Sequence, residues 1–153
     1  MNDTSAAVAV THSFEELKRT YKALVSPQIS YALFEPLDRK LRVRTRKPDL
    51  AHLKAVCLGC SAYTDTVLDD IKDRGMRTAT SEELLLFLKK DPDAVLRRHA
   101  PLVALGSVAY VEGRRHVLYA TRGRRGAGLL IHPFDGFYHS RFWYLVAPIL
   151  PET

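Results

Sequence analysis

Four cations stand at every second position of Lys40-Leu41-Arg42-Val43-Arg44-Thr45-Arg46. In an extended strand, alternate side chains point the same way, about 7 Å apart. Lys40, Arg42, Arg44 and Arg46 would then line one face, with Leu41, Val43 and Thr45 on the other. A cation row at that spacing suits successive phosphates of a partly extended nucleic-acid strand, which it would position without reading bases. The same row also suits a solvated outer face, or an edge strand that uses charge against unwanted pairing. A second arginine group holds Arg122, Arg124 and Arg125 among Gly123, Gly126 and Gly128. Glycines there permit close backbone approach to phosphate. The stretch lacks the Lys-Ser/Thr ending and following helix of a P-loop, and it is no dinucleotide fingerprint. An ordinary soluble hairpin loop is the plain alternative. Tyr110, Tyr119, Tyr138, Trp143 and Tyr144 are the candidate faces for base stacking.

Cys57 and Cys60 form a CLGC motif. Thioredoxin-like chemistry wants such a pair at a helix start after a strand, where the helix dipole favours the thiolate. A strand is available before Cys57, but no helix begins there. Zinc would need two more ligands; His52 precedes Cys57 by five residues, and a fourth would have to come from a distant histidine. Two small packed residues are the simpler reading. His132, Asp135 and His139 cluster in HPFDGFYH, with His116 on a neighbouring strand. A Cys60 nucleophile with one of these histidines and Asp135 is conceivable. Asp135 is explained more simply by a tight turn with Gly136, and the histidines as half-buried strand-end groups. Asp65 and Asp69 lie one helical turn apart, too few oxygen ligands for a cation site. No catalytic residue, metal or cofactor is therefore expected, and a binding role is favoured over an enzyme.

The chain of 153 residues is 46% hydrophobic and 26% charged, enough for one globular domain without metal or disulfide support. Two cysteines three apart make no disulfide framework. Met1 to Val10 lacks the basic start and apolar length of a signal peptide, and no stretch reaches membrane-spanning length, so a cytoplasmic setting without membrane contact is expected. The formal net charge of +6 favours an anionic partner. Residues 1 to 50 carry nine cations and six anions, 51 to 100 eight of each, and 101 to 153 six and three. The excess lies in the two strand-rich ends.

Those ends have to be positioned by the elements between them. Residues 1 to 12 are small and polar, a mobile end before one domain over 13 to 153. Ser13 with Glu16 reads as a capping box for an amphipathic helix over 14 to 25, ended by Pro27. Ile29 to Phe34 and the cation row read as strands. Residues 50 to 59 are too short an apolar run to decide between strand and helix. Thr64 is expected to cap a helix closed by Gly75. Thr80 with Glu83 forms another capping box, before an apolar stripe of Leu84, Leu85 and Leu88. Asp91 caps a short helix with Pro92 at its first position and Arg97, Arg98 and His99 in its last turn. From Pro101 a β-meander follows, its first strand buried on both faces with Leu105 at the middle. Glu112-Gly113 and Asp135-Gly136 are its turns, and RFWYLVA is its last strand.

From Glu35 onward the order RTATSEELLLF, PLVALGSV, HVLYATRG and FDGFYHSRFWYLVA resembles a group of small bacterial α+β modules with no assigned activity. The resemblance implies a compact α+β module with helices before a meander, and brings no functional residue. The expected fold is therefore α+β, three or four helices on a largely antiparallel sheet. The expected function is a small basic module that contacts nucleic acid, RNA or single strands foremost, through Lys40, Arg42, Arg44, Arg46, Arg122, Arg124 and Arg125. A protein-interaction or structural module is the alternative.

Overall fold

A computed structural model describes residues 24–25, 34–37, 52–89, 91–124 and 126–149. The 1–12 end, the cation row with Lys40, Arg42, Arg44 and Arg46, the start of the expected helix over 14 to 25, most of the expected 29–34 strand, and Arg125 lie outside the described residues. The chain is α+β, with three helices among the described residues on a mostly antiparallel, partly mixed sheet.

Strands β1 (Leu24–Val25), β2 (Glu35–Pro36), β3 (Lys54–Cys57) and β4 (Ala62–Tyr63) come first. They are followed by α1 (Thr64–Asp73), β5 (Met76–Thr78), α2 (Ser81–Lys89) and α3 (Pro92–Arg98). The chain continues with β6 (Leu102–Val111), β7 (Arg114–Gly123), β8 (Gly126–Pro133), β9 (Phe137–Tyr138) and β10 (Trp143–Pro148). The main sheet runs β1-β8-β7-β6-β10-β3, with β2 also on β6 and β5 also on β10. Leu24 and Val25, expected as the end of a helix, pair in parallel with Gly128 and Leu129. Two residues carry no periodicity, so the sheet edge overrides local propensity there.

β6, β7 and β8 are successive antiparallel neighbours, as a meander requires. Glu112 and Gly113, at φ 54° and 79°, form the first turn, which needs left-handed backbone at both positions. The expected fourth step is corrected. β10 does not follow β8; it lies on the far side of β6, parallel to it, with Trp143 and Tyr144 opposite Leu102 and Val103. Asp135-Gly136 is accordingly no hairpin turn. It belongs to a crossover over residues 134–142, in which β9 pairs with β4 as a separate ribbon. β3 pairs antiparallel with the other edge of β10, and β5 pairs antiparallel with the β6 edge of β10, beyond the Leu102–Val103 contact.

Alternation along the central strands divides the core in two. Leu102, Ala104, Leu118, Ala120, Leu145 and Ala147 face α2 and α3, meeting Leu84, Leu85, Leu88 and Leu96. Val103, Leu105, Val117, Tyr144 and Val146 face the opposite way, meeting Val67 and Ile71 of α1 with Phe134, Tyr138 and Phe142 of the crossover. β6 is buried from Leu102 through Ala109, as its unbroken apolar run demands.

The junction of β5, α2 and β6 is held by polar groups. Thr80 and Glu83 form the expected capping box: the Thr80 amide donates to Glu83 Oε1 at 3.0 Å, and the Glu83 amide to the Thr80 hydroxyl at 3.2 Å. Arg77 adds a two-pronged ion pair to the same carboxylate, at 2.8 and 2.9 Å. Burial would raise the Glu83 carboxyl, but the Arg77 and Thr80 hydrogen bonds and the Arg77 charge outweigh it and leave its pKa lowered. Gly106 is what lets β6 approach this junction. Its amide donates to the Ala79 carbonyl at 2.7 Å, and a Cβ there would stand 2.5 Å from that oxygen.

Candidate functional site

The described cations of the arginine loop sit at the turn between β7 and β8. Arg122 and Arg124 are both exposed. Arg122 shares the strand face of Leu118 and Ala120, the face under α3, and its Nε lies 4.0 Å from Asp93 Oδ1 of that helix. Asp91 caps α3 as expected, accepting from the Ala94 amide at 3.0 Å, and Pro92 is its first residue. Arg97 falls one turn beyond Asp93 on the same helix face, and Arg97 and Arg98 are exposed. Arg122 thus reaches the helix face that carries Arg97, with Asp93 as a local counter-charge.

The aromatic residues expected beside this loop are mostly covered or distant from it. Tyr138 and Tyr144 are buried, and Tyr119 and Trp143 are half-buried. Tyr110 is 71% exposed, but it lies opposite Arg115 near the other end of β7, about 23 Å along the strand from Arg122. It also belongs to the other face. Arg115 alternates with Val117 and Tyr119, and its guanidinium sits 4.7 Å above the Phe134 ring. Parity along β7 was the available signal: Arg115 and Arg122 are an odd number of residues apart and must face opposite ways.

At that second end, sequence reasoning missed an exposed aromatic pair. Tyr63 and Phe137 are register partners in the β4–β9 ribbon, 68% and 51% exposed, with ring centroids 5.6 Å apart edge to face. Thr64 fixes the ribbon. It is the first helical residue and makes no side-chain cap on α1. Its hydroxyl instead donates to the Phe134 carbonyl at 2.6 Å and accepts from the Gly136 amide at 2.9 Å. The Tyr138 hydroxyl reaches the same Phe134 carbonyl at 3.0 Å. Asp135 is held by Arg115 at 2.6 and 3.0 Å, so it is an ion-pair partner and not the orienting acid of a triad.

The histidines line the crossover. His132 packs 4.9 Å from Tyr138, 5.4 Å from Phe142 and 6.2 Å from Tyr119, and His139 lies 4.5 Å from Phe142. Burial holds the His132 pKa below its ordinary value, against the pull of its 2.7 Å contact with the Pro133 carbonyl; the nearby His139 and His116 add to the depression. Cys57 is half-buried and Cys60 exposed, so the packed-pair expectation is corrected. The Cys57 thiol donates to the Ser140 carbonyl at 3.5 Å. Among the described residues, no group of three or more His, Cys, Asp or Glu is arranged to hold a metal ion, and no helix is long and apolar enough to cross a membrane. No protein-family model, curated protein or solved structure matches this chain.

Proposed function

We propose that this protein is a small, basic, non-enzymatic cytoplasmic module that holds single-stranded nucleic acid, RNA foremost, by its phosphates. The observation that carries this reading is exposed Arg122 set against Asp93 of α3, with exposed Arg97 one turn along that helix and exposed Arg124 in the adjoining turn. Exposed guanidinium groups on two adjoining elements can neutralise neighbouring phosphates, and the counterions released supply affinity without sequence preference. Lys40, Arg42, Arg44, Arg46 and Arg125 belong to the same reading.

The test is a fluorescence-anisotropy titration of a mixed-sequence single strand at low and moderate salt. Replacing Arg122 and Arg124 with Ser should weaken binding for all sequences alike and flatten the salt dependence by about 0.7 for each phosphate no longer neutralised. Replacing Arg42, Arg44 and Arg46 with Ser should do the same and add to it. A wild type that does not bind at low salt, or variants that bind equally well, would remove the reading.

A second reading, a protein-interaction module, is favoured by Tyr63, Tyr110 and Phe137. These three exposed aromatics and the neighbouring Arg115 have the composition of an interface hot spot. Tyr63→Ser with Phe137→Ser should leave nucleic-acid affinity unchanged. A loss of nucleic-acid affinity in that double variant would instead place the strand across the aromatic end.

A further inference from the structure

Cys57 and Cys60 have no part in either reading. Cys57 closes β3 opposite Trp143 of β10, and the chain then bends at Gly59 and Cys60, with Gly59 at φ 74°. Cysteines three apart across a bent backbone can approach each other closely enough to be bridged without leaving the segment. A disulfide bridges Cα atoms about 4.4 to 6.8 Å apart. Cys60 is open to solvent, where a thiolate can meet a small oxidant. The Cys57 thiol is tied to the Ser140 carbonyl, so in the dithiol state it connects β3 to the crossover.

A second observation points to the same place. Tyr144, next to the β10 residue that faces Cys57, is 1% exposed, and its buried hydroxyl has no hydrogen-bond partner. Buried hydroxyls are rarely left this way. Burial keeps Tyr144 protonated, and both cysteines lie close enough to raise its pKa further. A protonated, unpartnered hydroxyl within electrostatic reach of both sulfurs is a donor that a nearby thiolate would attract.

We infer that Cys57 and Cys60 are a redox modification site, a dithiol that closes to a disulfide by exchange with a small-molecule disulfide such as oxidised glutathione. The Cys60 thiolate attacks one sulfur of the incoming disulfide, whose other sulfur leaves as a thiolate and takes up a proton. The resulting mixed disulfide is attacked at the Cys60 sulfur by Cys57, which has given its proton to solvent. The Cys57–Cys60 bond forms as the second small thiolate leaves. Two protein thiols are oxidised and one disulfide is reduced to two thiols. Closure removes the proton that Cys57 shares with Ser140, so the crossover is untied from β3.

The experiment equilibrates the full chain in buffers of reduced and oxidised glutathione, quenches with acid, alkylates and reads the intact mass. Wild type should pass from a doubly alkylated form to an unalkylated monomer two hydrogens lighter, with no stable adduct. Cys57→Ser should accumulate one glutathione on Cys60. Tyr144→Phe should close several-fold more slowly. Amide exchange over residues 139–142 should quicken in the oxidised wild type. A wild type that retains glutathione on Cys60, links two chains or does not react would overturn the inference. Equal closure rates in wild type and Tyr144→Phe would overturn the part given to the hydroxyl.

Discussion

The two faces of the sheet are sealed in different ways. The face under α2 and α3 is aliphatic: its fully buried residues are leucines and alanines, closed by two helices, the first tied at its start to β5 by Glu83, Arg77 and Thr80. The opposite face is aromatic, with Phe134, Tyr138, Phe142 and Tyr144 under one helix and an irregular crossover. The unassigned chemistry, His132, His139, Cys57, Cys60 and the unpartnered Tyr144 hydroxyl, gathers on or beside that second face. Helices satisfy their own backbone and can seal a core with plain side chains. A crossover has to be tied down by side chains with polar ends, and those ends are what chemistry can use.

Cavities should expose this difference between the faces most strongly. Leu85 on the helical face and Leu105 on the aromatic face are both completely buried. Each change to alanine should cost about 2 to 5 kcal/mol. Leu85→Ala should fall nearer the upper end, because α2 is anchored and cannot settle, whereas the crossover can move into the space left by Leu105. Denaturant unfolding measures both. A larger loss for Leu105→Ala would reverse the ranking of the faces, and no loss at all would mean that Leu105 is exposed.

A smaller effect is expected at the tied junction. Glu83→Gln should cost about 1 to 3 kcal/mol at neutral pH, since it leaves Arg77 with a weaker partner. The Glu83 carboxyl is lowered from 4.5 in the folded protein. Its contribution is therefore complete above that pH and is lost as pH falls through the folded value. Wild type and variant should converge in acid. A gap that stays constant down to about pH 3 would separate the carboxylate from the stability of this face.

The least effect belongs to His132. Its pKa is lowered from 6.5, so above that pH both folded and unfolded chains hold it neutral and nothing is lost. As pH falls through that value the unfolded chain takes up the proton first, and stability declines until the folded pKa is reached. His139 and His116 nearby push the same way. His132→Gln should show a flatter melting temperature between neutral pH and about pH 5 than wild type does. Identical slopes would show that the aromatic face tolerates the charge.

What the sequence made legible was local. The Thr80–Glu83 box, the Asp91 cap with Pro92, the Glu112-Gly113 turn and the buried run of β6 each depend on residues within a few positions, and each is found as read. The failures were non-local. Thr64 has the spacing of a cap, but its hydroxyl is taken by a carbonyl seventy residues away in the crossover. RFWYLVA is recognisable as a strand, yet nothing within it says that it lies beside β6 and not β8. Arg77 carries no mark of being the partner of Glu83. The candidate site was legible by residue type and not by grouping, because the loop arginines and the exposed aromatics fall on opposite faces at opposite ends of β7.

The position of β10 has a consequence for how the chain is made. Synthesis delivers β3 and β5 first, at about 5 to 20 residues per second, and β10 long after them. Among the described residues, both earlier strands find their sheet partner only in β10, and the Leu102–Val103 end of β6 is bare on that side until it arrives. The nascent chain therefore holds finished helices over a sheet missing its middle. Its hydrophobic strands remain open to chaperones, or to other copies of themselves, until the strand that joins the two cores has emerged.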